Sequence, residues 1–106
     1  MIITTGNEVV GGKIVQYLGV VRGVVVRSPG IGRGFIGGLK ALGGGNIQEF
    51  ADVCDKARQD AFNLMVQHAA AIGADAIIAM RYDATEFSES ITEVLAYGTA
   101  VKLTND

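Results

Sequence analysis

One segment constrains this chain more than any other. Across residues 46–72, Ile47, Phe50, Ala51, Cys54, Ala57, Ala61, Phe62, Leu64, Met65, Ala69 and Ile72 recur at helical spacing and fall on one broad face. Gln48, Glu49, Asp52, Asp55, Lys56, Gln59, Asp60, Asn63 and Gln67 fall on the other. Asn46 has an N-cap side chain, and Glu49 three positions on makes a pattern like a capping box, with Asn in place of Ser or Thr. Gly73 is a natural residue to follow the last turn. The spacing predicts one amphipathic helix about 40 Å long at 1.5 Å per residue. A compact domain of this length has a radius of gyration near 13 Å. Such a helix must protrude from its own domain or lie along its full edge.

The flanking segments read as strands, in the order β-β-α-β-β. Residues 1–5 form a short strand ended by Gly6-Asn7, and residues 14–27 a long one rich in Val, Ile and Tyr. Gly19 and Gly23 inside it mark bends, bulges or a close backbone approach. Residues 75–84 and 91–103 follow the helix, separated by a polar turn around residues 86–90. The long strands do not alternate cleanly. In 14–27 one face carries Ile14, Leu18, Val20, Val24 and Val26, and the other Val15, Tyr17, Val21 and Val25. In 91–103 one face carries Ile91, Leu95, Tyr97, Val101 and Leu103, and the other Val94, Ala96, Gly98 and Ala100. Strands apolar on both faces need cover on both. One helix covers one face of a four-stranded sheet, so the second face is expected to meet another copy of the chain or close into a barrel with it. The alternative is that the Gly-rich segment folds over that face.

Composition narrows the classes. With 106 residues and no linker or internal repeat, residues 1–106 are expected to form a single domain. The chain is 49% apolar with a net charge of -2, which excludes intrinsic disorder. Its mean hydropathy is +0.33, yet no apolar run approaches the ~20 residues of a membrane helix. One Cys excludes an intrachain disulfide framework. Met1 leads straight into a strand-like run without a secretory pattern, so the expected compartment is the cytoplasm. Basic Lys13, Arg22, Arg27, Arg33 and Lys40 face only Glu8 in residues 1–45, whereas residues 46–106 are acidic overall. The basic residues are dispersed, so the asymmetry reads as surface or interface charge; neither a nucleic-acid nor a membrane partner is expected.

Few residues offer chemistry. Residues 28–45 hold more than half of the fifteen glycines, with Phe35, Ile36, Leu39 and Leu42 at the spacing of a short helix. Within them, Gly32-Arg33-Gly34-Phe35-Ile36-Gly37 fits a dinucleotide fingerprint. The next strand begins about 40 residues on, outside a ~30-residue βαβ unit, so a loop or interface role is expected instead. Cys54 and His68 are the only soft metal donors, about 21 Å apart along one helix, too far to share an ion within a chain. Cys54 lies beside Phe50 and Ala57, His68 near Met65 and Ile72, and both are expected to be structural. One His and no nucleophile elbow leave carboxylates such as Asp75, Asp83, Glu86, Glu89 and Glu93, read as solvated charge. Arg58 sits near the middle of the apolar face, flanked by Cys54, Ala61, Phe62 and Met65. A charge there is costly unless paired, so a carboxylate partner is expected, Asp75 or Glu93, locking helix to sheet or subunit to subunit.

Several segments in order carry a resemblance. Thr4-Thr5, Ile14-Val15-Gln16-Tyr17, Arg33-Gly34-Phe35, Gly44-Gly45, Lys56-Ala57-Arg58 with Ala61-Phe62, Gly73-Ala74-Asp75-Ala76-Ile77 and Gly98-Thr99-Ala100-Val101 together resemble the YbjQ-like family over nearly the whole chain. These are small bacterial and archaeal proteins of uncharacterised function that carry a heavy-metal-binding label. The resemblance implies an α+β subunit related to the dodecin-like fold, assembled into a ring of five around a β-barrel. The chain departs from the family pattern at Gly34 and Ala41, where Asp is usual, at Arg81, where an acidic residue is usual, and at Phe50 in place of Tyr. Any metal relying on those acidic groups has lost several of them.

The expectation is a non-enzymatic homo-oligomer binding a small ligand or metal ion at subunit interfaces. Arg58, Asp75, Glu93, Gly44, Gly45, Gly73 and Gly98 are its structural or interface positions. No resident cofactor is predicted. The alternative is a heavy-metal-binding protein with ligands shared between subunits, and an enzyme ranks third.

Overall fold

The computed structural model describes residues 1–27, 47–88 and 91–104. In chain order the elements are β1 (Ile2–Ile3), β2 (Lys13–Arg27), α1 (Ile47–Ala71), β3 (Ala76–Ser88) and β4 (Ile91–Thr104). The fold is α+β, and the order β-β-α-β-β agrees with the expectation from sequence. β1 is shorter than expected, and β3 runs four residues beyond the predicted 84. The segment read as a polar turn is therefore mostly strand. Asn46, Gly44, Gly45, the short helix expected within 35–42 and the glycine fingerprint at 32–37 lie outside the described residues.

The helix ends where its sequence says it should. Gly73 adopts φ 79°, a left-handed conformation that an L side chain resists. Its N–H donates to the Ala70 carbonyl at 3.1 Å, and the Ala74 N–H to the Ala69 carbonyl at 3.0 Å. This pair of bonds is a Schellman motif, and it satisfies carbonyls that the last turn would otherwise leave open. It also reverses the chain directly into β3.

The four strands form one sheet in the order β1-β3-β4-β2. β1 runs parallel to β3, while β3–β4 and β4–β2 are antiparallel, so the sheet is mixed. The helix lies on one face. There Ala57, Ala61, Met65 and Ala69 are buried against Val21, Ile77, Met80, Val94, Ala96 and Ala100. A stripe of mostly Ala brings the helix backbone close to the strand beneath it. A Cβ on Gly23 would fall on the Ala61 carbonyl oxygen and 2.6 Å from the Met65 amide nitrogen, so only glycine fits. Gly19 does the other job foreseen for it: at φ 112° it sits at the register shift of a bulge in β2.

Another bulge lies in β3, between Ile78 and Arg81, with Ala79 at φ 53°. The N-terminal segment ties into it. The Ala79 N–H donates to the Gly6 carbonyl at 2.8 Å, and the Met80 N–H to the Thr4 carbonyl at 3.0 Å. Arg81 Nη1 donates to the carbonyls of Thr5 and Met80, each at 2.8 Å. On β4, Gly98 makes room for the bulge, since a Cβ there would lie 3.0 Å from the Ile78 carbonyl oxygen.

The strands set the dimensions of the molecule. Fifteen residues of β2 at 3.3–3.4 Å each approach 50 Å. The Cα radius of gyration is 17.1 Å with extents of 57 × 23 × 18 Å, against the ~13 Å of a compact domain of this length. The described residues form a slat rather than a globule.

Candidate functional site

Register fixes what the sheet presents on the face away from the helix. Residues directly opposite in an antiparallel pair share a face. Four rows therefore cross the helix-free side: Val20, Thr99 and Ile78; Arg22, Tyr97 and Arg81; Val24, Leu95 and Asp83; Val26, Glu93 and Thr85. At one end this face is covered from within the chain. Val9, on the turn closed by the Gly12 N–H to the Val9 carbonyl, packs with Ala76, Ile78 and Val101 in a small second core. Beyond that, Val20 is 69% exposed, Val24 40%, Val26 44% and Tyr97 36%. Tyr17, opposite Val101, is 68% exposed. These apolar side chains share the face with Arg22, Arg81, Asp83 and Glu93, which makes it a candidate interaction surface. Glu93 belongs to this face, half-buried beside Val26.

The sheet also has two open edges among the described residues. β2 has no strand outside it, and β3 has none beyond the short β1 pairing. His68 reaches one of these edges. Its Nδ1 accepts the outward N–H of Arg22 at 3.2 Å, tying the last turns of the helix to the middle of β2. Asp75, just after the helix, holds the chain on β4. Its Oδ2 accepts the Leu103 N–H at 2.9 Å, and its own N–H donates to the Val101 carbonyl at 2.9 Å.

Arg58 differs from its expectation. The structure brings neither Asp75 nor Glu93 to it: Asp75 is turned onto β4, and Glu93 is on the opposite face of the sheet. The guanidinium is exposed and stands over the Tyr82 ring at 5.9 Å, the outer range of a cation–π contact. The reason is geometric. The buried stripe is the narrow row Ala57, Ala61, Met65 and Ala69, and one residue along from Ala57 a side chain already swings about 100° away. A long Arg at that border keeps its charge in water.

Cys54 departs as well. It falls on the buried stripe by angle but is exposed. Opposite it the sheet offers small residues, Ala84 and Thr92, which leave a crevice rather than a packed contact. Val53, Cys54, Ala57, Arg58, Ala84, Thr92 and Val94 line about 260 Å³ of space there. Sequence reasoning missed this crevice because it depends on which side chains meet across the helix–sheet gap.

Among the described residues, the donors for a metal do not converge. No group of three His, Cys, Asp or Glu side chains able to hold an ion occurs among the described residues. Cys54 opens onto the crevice while His68 is engaged at the β2 edge. These residues do not fit an intrachain heavy-metal centre. Nor is any helix among the described residues long and apolar enough to cross a membrane.

Comparison with known proteins is consistent across the whole length. A family model described as "Putative heavy-metal-binding", YbjQ_1, matches residues 1–104. A UPF0145 protein of Legionella pneumophila is 56% identical over 101 residues, covering 95% of this chain and 96% of the relative. One from Chromobacterium violaceum is 52% identical over 95% of this chain and 86% of its own. Among solved structures, a protein of unknown function in the DUF74 family from Pediococcus pentosaceus superposes with a TM-score of 0.55 over 98% of both chains. At 20% identity that likeness speaks to the fold.

Proposed function

The chain belongs to the YbjQ family, and from that premise we propose that it works as a non-enzymatic homo-oligomeric binding protein of the cytoplasm. The observation that carries this reading is the set of exposed apolar side chains Val20, Val24, Val26 and Tyr97 on the face of the sheet that, among the described residues, no helix covers. A second copy is the occupant that buries such a face repeatedly and symmetrically. The open edges of β2 and β3 suit the same arrangement, because a closed ring of sheets removes edges that otherwise invite uncontrolled pairing. The subunit number that accords with the dodecin-like family pattern is five. None of the relatives described above carries an enzymatic name.

Light scattering at micromolar concentration tests the assembly. The expected mass is that of several chains, and replacing Val20 and Val24 by Asp is expected to reduce it to one while the circular dichroism stays native. A wild-type mass equal to one chain overturns the reading.

A second reading, metal held by ligands from several subunits, draws support from the exposed Cys54 thiol together with the family description. Elemental analysis of protein purified without an affinity tag decides between them. Stoichiometric metal retained through dialysis favours the shared-ligand centre, and its absence leaves the binding role to another ligand.

A further inference from the structure

We propose that the crevice between α1 and the β3–β4 hairpin is a binding site for a small apolar monocarboxylate, with Arg58 as the residue that receives the carboxylate. Three features of the site agree. First, its walls are apolar: Val53, Ala57, Ala84 and Val94 supply most of the lining, and Thr92 adds one hydroxyl. An apolar cleft with a few placed polar groups is the general form of a small-molecule site. Second, its size is limited. At about 30 Å³ per water-sized group, 260 Å³ holds on the order of nine non-hydrogen atoms. That suits a short acyl chain or a single substituted ring. Third, a cation is among its described lining residues. Among the described residues no carboxylate is paired with Arg58, whose guanidinium stands over the Tyr82 ring at the mouth of the crevice. A guanidinium so held is suited to bidentate recognition of a planar carboxylate.

The electrostatics also define an opposing residue. Glu86 is the direct partner of Thr92 across the hairpin and shares its face of the sheet. Its carboxylate repels an anion entering beside Thr92, so it sets an upper limit on affinity. Arg58 and Glu86 therefore give variants of opposite sign. Cys54 supplies a reporter, since its exposed thiol lines the same space and an occupant shields it.

This inference rests on the binding reading above, but its geometry belongs to one chain. A monomeric protein that still binds carboxylates would overturn the assembly and leave the crevice standing.

The experiment follows the rate at which a maleimide labels Cys54 in the full-length protein, titrated with hexanoate or octanoate. The expected result is saturable protection, at least threefold at saturation, and weaker protection by the corresponding neutral alcohols. Arg58→Gln is expected to weaken the midpoint roughly tenfold, the scale of one lost charge-assisted contact. Arg58→Lys restores part of it, and Glu86→Gln tightens it. Both positions are exposed, so the variants fold. No protection at millimolar carboxylate overturns the site. Equal protection by acid and alcohol, or an Arg58→Gln midpoint unchanged from wild type, overturns the assignment of Arg58.

Discussion

Gly23 shows how one residue can decide the distance between two elements. Its missing side chain lets the backbone of α1 rest on β2, with the Ala61 carbonyl and the Met65 amide directly above. Gly23→Ala places an atom where backbone already is, and neither a rotamer change nor a flexible tip can relieve it. The expected cost is about 3 kcal/mol, read as a melting temperature lower by roughly 10–20 °C. Ala79 is the converse case. It holds φ 53° in the β3 bulge, a conformation costing an L residue about 1–2 kcal/mol, while glycine's extra chain entropy returns part of that. Ala79→Gly is therefore expected to raise stability by about 0.5 kcal/mol, measured by denaturant midpoint at unchanged slope. A lower midpoint would mean that the Ala79 methyl is packed usefully. Of these residues only Gly23 was legible beforehand, as one of two glycines in a strand where close approach or a bulge was expected. Ala79 carries no sequence signal, because its φ follows from the register shift between β3 and β4 and from the carbonyls of Thr4 and Gly6 that fix the bulge.

At the scale of the element, the helix is the part that the sequence specifies best. Its 3.6-residue period and its Gly73 terminator are local properties, and the described helix Ile47–Ala71 ends one residue before the expected Ile72, while the expected start at Asn46 lies outside the described residues. The Lys56–Asp60 pair at 2.8 Å, four residues apart on the solvent side, adds a few tenths of a kcal/mol to it. What periodicity could not give is the width of the buried stripe. Leu64 and Ile72 belong to the apolar face by angle, yet each remains about two-fifths exposed, at 42% and 41%. Met65 is at the centre of the stripe and fully buried, so Met65→Ala is expected to cost about 3 kcal/mol, seen as an earlier urea transition. His68 tests the other contact between helix and strand. Replacing it with Leu removes the acceptor for the Arg22 N–H and should speed exchange of that amide, leaving exchange in the core of β4 unchanged. Equal protection in the variant would show that the Arg22 amide is shielded by something other than the imidazole.

For the whole molecule the governing fact is shape. A radius of gyration of 17.1 Å and a sheet face that no helix covers among the described residues describe an extended chain with exposed apolar side chains on that face. If copies bury that face, stability becomes coupled to concentration by mass action. The melting temperature is then expected to rise when protein is concentrated a hundredfold, whereas a self-sufficient monomer gives a constant value.

The sequence by itself determined the element order, the helix and its stop, and the imbalance of long strands apolar on both faces against a single covering helix. Each of these is set by local spacing or by counting surfaces, which a linear chain displays. Only the tertiary structure decided that β1 joins parallel to β3, that Arg58 stays in water without Asp75 or Glu93, and that Cys54 opens onto a crevice. Those outcomes depend on register and on which small residues meet across the gap between helix and sheet. Residues distant in the chain set them together, and no spacing along it reports where they meet.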